Sequence, residues 1–300
     1  MKMFSFVIEN MKKQRNSSST SSSTCGDDNG NERKDADSEI EPVTPTLKSF
    51  LYFLVAPTLI YRDEYPTTKR DLVRVLGLAF ETIVHVFALS MCLKFTAAKF
   101  KNIGIKPLEM TVLFDGFFAS CVCSLMFVTG MTYGLWHQYE NMWSEVLAFG
   151  DRQFYGAWWR EKDLGKKIRF MNMIVSDFLY EYIYRPARLV GANRVVASYA
   201  VIVVSGIFHE YILWISFRFL MPVITVSMVA SIIVTQLGDY AFKGNKSTAM
   251  YIHYSVFSIC NSLIAFGYII EYYSRKNCPS TSDSLVDYFV PTSFHCVTFK

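Results

Sequence analysis

Residues 205–214, SGIFHEYILW, place a histidine and a glutamate side by side inside an apolar run. The nearest arginines are Arg194, fifteen residues before His209, and Arg218, nine after it. An ionisable side chain in a membrane span costs roughly 2.5–3.5 kcal/mol on insertion scales, so a role in function is the first hypothesis. A zinc-protease arrangement is excluded, because it needs a second histidine four residues on and position 213 is Leu. On a helix, neighbouring residues point about 100° apart, so Glu210 does not orient His209 as a dyad partner. Glu210 reads instead as an anchor for a neighbouring helix, through a backbone or hydroxyl contact. His209 shares its face with Ser205, Gly206, Ile212 and Leu213, and Gly206 lets another backbone or a substrate come close. A neutral imidazole in an apolar pocket suits general base catalysis, since loss of water disfavours the charged form. Such a base contributes roughly 10²–10⁴-fold in rate. A structural histidine bonded between helices is the alternative, and the histidine alone does not separate the two.

The elements that would hold this pair follow from composition. Of 300 residues, 51% are hydrophobic, 16% aromatic and only 19% charged, the profile of a polytopic membrane protein. A formal charge of +4, dispersed along the chain, gives no reason to expect nucleic acid. The seven cysteines match no zinc spacing, and no metal site is expected. Cys121 and Cys123 lie in an apolar run and read as packing residues. Cys278 and Cys296 lie in a polar tail and could close a loop in an oxidising compartment. The start of the chain lacks an apolar core long enough for a signal peptide.

Residues 1–48 are rich in Ser, Asp, Asn and Gly and predict a disordered polar tail; 49–300 form the membrane-embedded domain. Five stretches approach the roughly 20 residues a span needs: about 72–93, 110–136, 195–217, 219–238 and 249–270. The third and fourth nearly touch, predicting a tight hairpin around Arg218 and Pro222. Residues 137–150 and 166–185 are aromatic-rich but charged, and read as interfacial amphipathic helices. Region 137–194 carries Arg152, Arg160, Lys162, Lys166, Lys167, Arg169, Arg185, Arg188 and Arg194, which predicts that it is cytoplasmic. Five spans then put the N-terminus in the cytoplasm and the cysteine tail in the lumen. Lys94, Lys99, Lys101 and Lys106 fall on the wrong side of that scheme.

Four motifs occur in order: APTLIYRDEYP (56–66), EVLAFGDRQFYGAWW (145–159), SGIFHEY (205–211) and CPSTSDSLVDYFVPTSFHC (278–296). Together they resemble the sterol O-acyltransferases (acyl-CoA:cholesterol acyltransferases) of the membrane-bound O-acyltransferase superfamily, from about residue 49 to the end. The resemblance implies an all-α helical bundle of about five to six spans, shortened at its N-terminus against a family that usually has about nine. It implies an endoplasmic reticulum enzyme that moves a long-chain acyl group from acyl-CoA to the 3-hydroxyl of a sterol. It needs no cofactor beyond acyl-CoA as co-substrate. His209 corresponds to the family's catalytic histidine, and His137 to an earlier family histidine. Phe154, Tyr155, Trp158, Trp159 and Arg160 would line the acyl-CoA passage, and Cys278 and Cys296 would form a luminal disulfide. The relatives are oligomeric, so self-association among membrane lipid is expected.

The chain departs from the family at one motif: FYxDWWN reads FYGAWWRE over residues 154–161, with Ala157 for Asp and Arg160 for Asn. That departure favours a second reading, a catalytically impaired paralogue or partner subunit. A third is an acyltransferase that uses diacylglycerol or a fatty alcohol. His85 and His253 read as core or interface residues, and His295 as exposed tail.

Overall fold

The structure, a computed structural model, describes residues 1–22, 45–242, 245–279 and 286–297. Helices α1 (Lys2–Ser22) and α2 (Leu47–Val55) precede α3 (Leu72–Ala98). Helix α4 (Met110–Gly130) passes through a π-helical stretch, Met131–Tyr139, into α5 (Glu140–Leu147). Short helices α6 (Leu164–Met171), α7 (Met173–Leu179) and α8 (Arg185–Leu189) follow, with a π-helical turn at Tyr180–Tyr184. The long helices α9 (Arg194–Phe217), α10 (Val223–Ala241) and α11 (Lys246–Asn277) complete the body, before the short α12 (Val286–Phe289) and α13 (Ser293–Cys296). No strand occurs among the described residues.

Among the described residues, five helices are long and apolar enough to cross a membrane: Leu72–Ala98, Met110–Leu147, Arg194–Phe217, Val223–Ala241 and Met250–Asn277. They pack as an open row, α9 on α10, α10 on α11, α11 on α4 and α4 on α3. The outer faces carry large exposed apolar side chains such as Leu76, Phe80, Ile83, Phe118 and Val122, as surfaces in contact with lipid do. The chain alternates direction. At one end, the start of α3 meets the end of α5, where the Asp71 amide donates to Glu145 Oε2 (3.3 Å) and Thr67 bridges Phe149. This basic end also holds α1, α2 and residues 148–193. At the opposite, tail end, Asn277 Nδ2 donates to the carbonyls of Lys101 (3.1 Å) and Ile103 (2.6 Å). Lys99, Lys101 and Lys106 therefore share an end with the cysteine tail. The sulfurs of Cys278 and Cys296 stand 2.03 Å apart there.

Two expectations are corrected. Residues 2–22, expected to lack structure, form α1 and dock on the domain; residues 23–44 lie outside the described residues. The Ser-rich composition hides a face that fits its neighbours. Ser5 is fully buried, its hydroxyl 2.9 Å from Tyr182 Oη while accepting the Tyr61 amide (2.9 Å). Ile8 packs on the Phe178–Tyr182 cluster. Lys2 Nζ donates to the carbonyls of Phe53, Leu54 and Ala56 at 2.6–2.9 Å, which would otherwise be open at the end of α2. Residues 137–147 are not a separate interfacial helix. They continue the second span, because Glu145 meets Arg152 and Arg74 at the basic end and its charge need not leave the helix. Residues 164–189 break into short helices at that end. The α9–α10 turn forms as expected, with Arg218 in the left-handed region (φ 61°) closing α9 and Pro222 preceding α10.

Candidate active site

His209 lies on an exposed face of α9. Its Nδ1 is 2.7 Å from the Ser205 carbonyl one turn earlier. A carbonyl oxygen only accepts, so Nδ1 carries the proton and Nε2 is left with a free lone pair. The helix itself thus selects the tautomer in which Nε2 can take a proton.

Glu210 turns the other way and is buried. Its Oε1 accepts the amides of Ile224 (2.7 Å) and Thr225 (3.1 Å), and Tyr268 Oη of α11 lies 3.0 Å from its Oε2. These amides belong to the first turn of α10, where N–H groups lack intrahelical acceptors. The carboxyl group thus ties α9, α10 and α11 together. Gly206, one turn before Glu210, allows this approach, since a Cβ there would meet Thr225 Oγ1 at 2.7 Å and its Cα at 2.9 Å.

His137 sits in the π-helical stretch. Its Nδ1 is 3.0 Å from Tyr155 Oη, and its ring stacks on Tyr133 (5.1 Å between centroids). Burial raises the Tyr155 hydroxyl above its usual range, with a smaller push from Tyr133, so it remains neutral. His85 of α3 is 5.9 Å from the Tyr133 ring and packs over Gly130 and Gly134. Gln138 Nε2 donates to Glu81 at 3.1 Å, and Glu140 Oε2 is buried without a partner among the described residues. Sequence reasoning did not single out Gln138 or Glu140. The signal was a polar trio, His137, Gln138 and Glu140, at the end of an apolar run.

The FYGAWWR segment turns beside this group. Phe154 is buried in a cluster with Ala56 and Phe149. The Gly156 amide donates to the Phe170 carbonyl (2.8 Å) and the Met173 amide to the Phe154 carbonyl (2.9 Å), pinning the segment to α6 and α7. Trp158 is buried with its Nε1 unpartnered among the described residues. Trp159 is exposed, and its carbonyl accepts from Tyr254 Oη (2.7 Å). The Arg160 side chain is exposed and makes no hydrogen bond or ion pair among the described residues. Lys167 of α6, which sequence reasoning did not rank, is 3% exposed with Nζ 4.0 Å from the Tyr254 ring centroid. Burial lowers its amine below the usual range, although the Asp239 charge opposes this.

Two polar groups result. Tyr155, His137, Gln138 and Glu81 gather near the basic end, whereas His209 stands on α9, and α10 and α11 separate α9 from α4. The described residues do not bring the two histidines together. They contain no His, Cys, Asp and Glu group that could hold a metal ion.

Comparison with known proteins adds a lineage to this geometry. A family model described as MBOAT, membrane-bound O-acyltransferase family, matches residues 31–274. The chain is 31% identical over 305 residues to sterol O-acyltransferase 1 of Chlorocebus aethiops, covering 99% of this chain and 51% of that protein. The mouse sterol O-acyltransferase 1 is 29% identical (99% of this chain, 52% of the relative), and human sterol O-acyltransferase 2 is 26% identical (85% and 49%). The chain spans about half the length of these relatives.

Proposed function

From the membership of this chain in the membrane-bound O-acyltransferase family, we propose that it transfers a long-chain acyl group from acyl-CoA to a sterol hydroxyl within the endoplasmic reticulum membrane. The observation that carries the reaction is the His209 tautomer, Nδ1 held by the Ser205 carbonyl and Nε2 free. Nε2 takes the proton from the sterol hydroxyl as its oxygen attacks the thioester carbonyl. The tetrahedral intermediate collapses, the C–S bond breaks, and the imidazolium returns the proton to the departing thiolate. Products are the sterol ester and free CoA. No cofactor enters these steps. Bringing both substrates together in a dry site supplies proximity and protects the thioester from hydrolysis.

Acyl-CoA, polar at one end and anionic, approaches from the basic end, where Tyr155, Trp158, Trp159 and Arg160 line its passage with His137 as a second polar residue. Phe154 supports that passage from within the core. The basic end faces the cytoplasm, and the N-terminus with it. The tail end faces the lumen, where Cys278 and Cys296 form a disulfide that an oxidising compartment maintains. The sterol enters laterally from the bilayer, and the chain associates with further copies of itself.

The test is esterification of cholesterol with labelled oleoyl-CoA, in membranes that lack their own activity and contain this chain or its His209→Ala variant. Product from the first and none from the second is expected. Product from both removes His209 as base. No product from either, with the protein inserted, overturns acyl transfer to sterol by this chain. One observation favours the impaired reading: Arg160, where the family has Asn, has no side-chain partner among the described residues to hold it in a site. Arg160→Asn distinguishes the two, since an impaired chain gains activity on that change.

A further inference from the structure

Between α1 and the Tyr180–Leu189 segment lies a cleft of about 670 Å³ that the proposed reaction does not use. Lys12 and Arg15 line it from α1, Arg185 and Arg188 from α8. Among the described residues of its wall, Glu181 is the only acid. That carboxylate is already engaged twice, by Lys12 Nζ (2.8 Å) and Arg185 Nη1 (2.7 Å). Lys12 is further neutralised by Glu9 (2.9 Å). Arg15 has no ion pair among the described residues. Arg188 spends Nη1 on the Ala192 carbonyl (2.6 Å) and keeps the rest of its fork. Among the described residues, the cleft therefore has an excess of positive charge over the acids that face it. Tyr180 and Tyr184, stacked with centroids 5.2 Å apart, also line it.

Its position specifies the ligand further. Leu189, on the cleft wall, and Val190 beside it are each 85% exposed. They precede Arg194, the first residue of a membrane span, by only five and four residues respectively, which places them at the membrane surface. Along α1, Met3, Val7 and Met11 recur every fourth residue and are also exposed. Arginines that outnumber the described acids, beside exposed apolar side chains at the mouth of a span, match the boundary between phosphate headgroups and acyl chains. A soluble phosphate would use the arginines but give the apolar rim no role.

We infer that this cleft seats an anionic glycerophospholipid, its headgroup phosphate held by Arg15, Arg185 and Arg188 and its acyl chains lying against Leu189 and Val190. The bound lipid fastens α1 to the membrane face. The site stands apart from His209, Tyr155 and His137, and its occupancy does not depend on acyl transfer.

The experiment uses the purified full chain, equilibrated with micelles of phosphatidylcholine alone or mixed with phosphatidylserine, and native mass spectrometry to read the lipid retained. Phosphatidylserine is expected to stay bound and phosphatidylcholine to wash away. Arg15→Gln combined with Arg185→Gln lowers retention by roughly thirtyfold, about fivefold for each cation lost and more than additive effects aside. Arg169→Gln, on α6 outside the cleft, leaves retention unchanged. Excess inorganic phosphate or free CoA does not displace the lipid. Equal retention of the two lipids, or undiminished retention by the double variant, overturns the site. Displacement by phosphate or CoA also overturns it and assigns the cleft to a soluble phosphate. If the double variant fails to fold, the lipid preference and the displacement arm of the unmodified chain decide the matter.

Discussion

Glu210 allows a quantitative test of how the helix row is held. It is buried on α9, yet its Oε1 serves two amides of the first turn of α10, fourteen and fifteen residues further on. Replacing it with Ala leaves both N–H groups without an acceptor in an apolar setting, at about 1–3 kcal/mol each. Removing a buried acid also removes its own desolvation cost, which offsets part of that loss. Tyr268 adds little to the sum, because its single proton can go to the Met221 carbonyl, also at 3.0 Å. The net expectation for Glu210→Ala is a loss of about 2–4 kcal/mol. At roughly 2–4 °C per kcal/mol for a chain of this size, the unfolding midpoint falls by roughly 5–15 °C. Glu210→Gln keeps an oxygen at the same place and retains most of the stability. Thermal unfolding in detergent gives the size of the effect, and hydrogen exchange at Ile224 and Thr225 gives its location. If Glu210→Ala unfolds with the unmodified chain and those two amides keep their protection, the carboxyl group is not what holds α10.

Other perturbations have equally specific outcomes. Gly206→Ala drives a Cβ into Thr225 Cα at 2.9 Å, so it destabilises by about 1–3 kcal/mol, and Thr225→Ala restores little of this in the same unfolding assay. Tyr155→Phe removes the hydrogen bond to His137; esterification is expected to fall about tenfold or more with the unfolding midpoint unchanged, and unchanged activity would remove the pair from the site. Burial holds the Lys167 amine below its ordinary 10.5, so the ammonium is less favoured in the folded than in the unfolded chain. That cost is present at neutral pH and is relieved as pH rises through the lowered value toward 10.5, so the unfolding midpoint should climb over that alkaline range, and Lys167→Met should flatten the climb. Cys278→Ser with Cys296→Ser opens a loop of 18 residues and costs about 3 kcal/mol, while maleimide labels the unmodified pair only after reduction.

The spans were legible because burial in lipid demands runs of apolar residues, and the five runs read from the sequence coincide with α3, α4, α9, α10 and α11 to within a few residues at most ends. Glu210 was legible in kind, an anchor rather than a dyad partner, since adjacent helical residues diverge. Its acceptor role could not be assigned to particular amides, because that depends on where α10 starts. Helix α1 was missed because what orders it is tertiary. Ser5 is an ordinary polar residue until Tyr182 and Tyr61 surround it. The Tyr155–His137 hydrogen bond joins residues eighteen apart, and no periodicity encodes it. Trp158 shows the same limit, since an aromatic in a turn declares neither its burial nor an N–H without a partner among the described residues.

The π-helical stretch inside the second span has a consequence for how this chain tolerates insertions and deletions. There the Glu140 amide reaches back five residues, to the Leu135 carbonyl, instead of four, so the helix carries surplus backbone relative to an α-helical path. Removing one residue between Met131 and Tyr139 lets that turn tighten to an α-helix without breaking the span. Everything beyond it keeps nearly the same phase, because the wide turn already absorbs the surplus residue; the same deletion in α4 turns everything beyond it by about 100° around the helix axis. With that α4 deletion, Glu145 would swing away from Arg152 and from the Asp71 amide, and the basic end would lose its clasp while the membrane-crossing length stayed nearly the same. The wide turn thus marks where the second span accommodates a deletion, and the α-helical turns before it mark where a deletion unclasps the basic end.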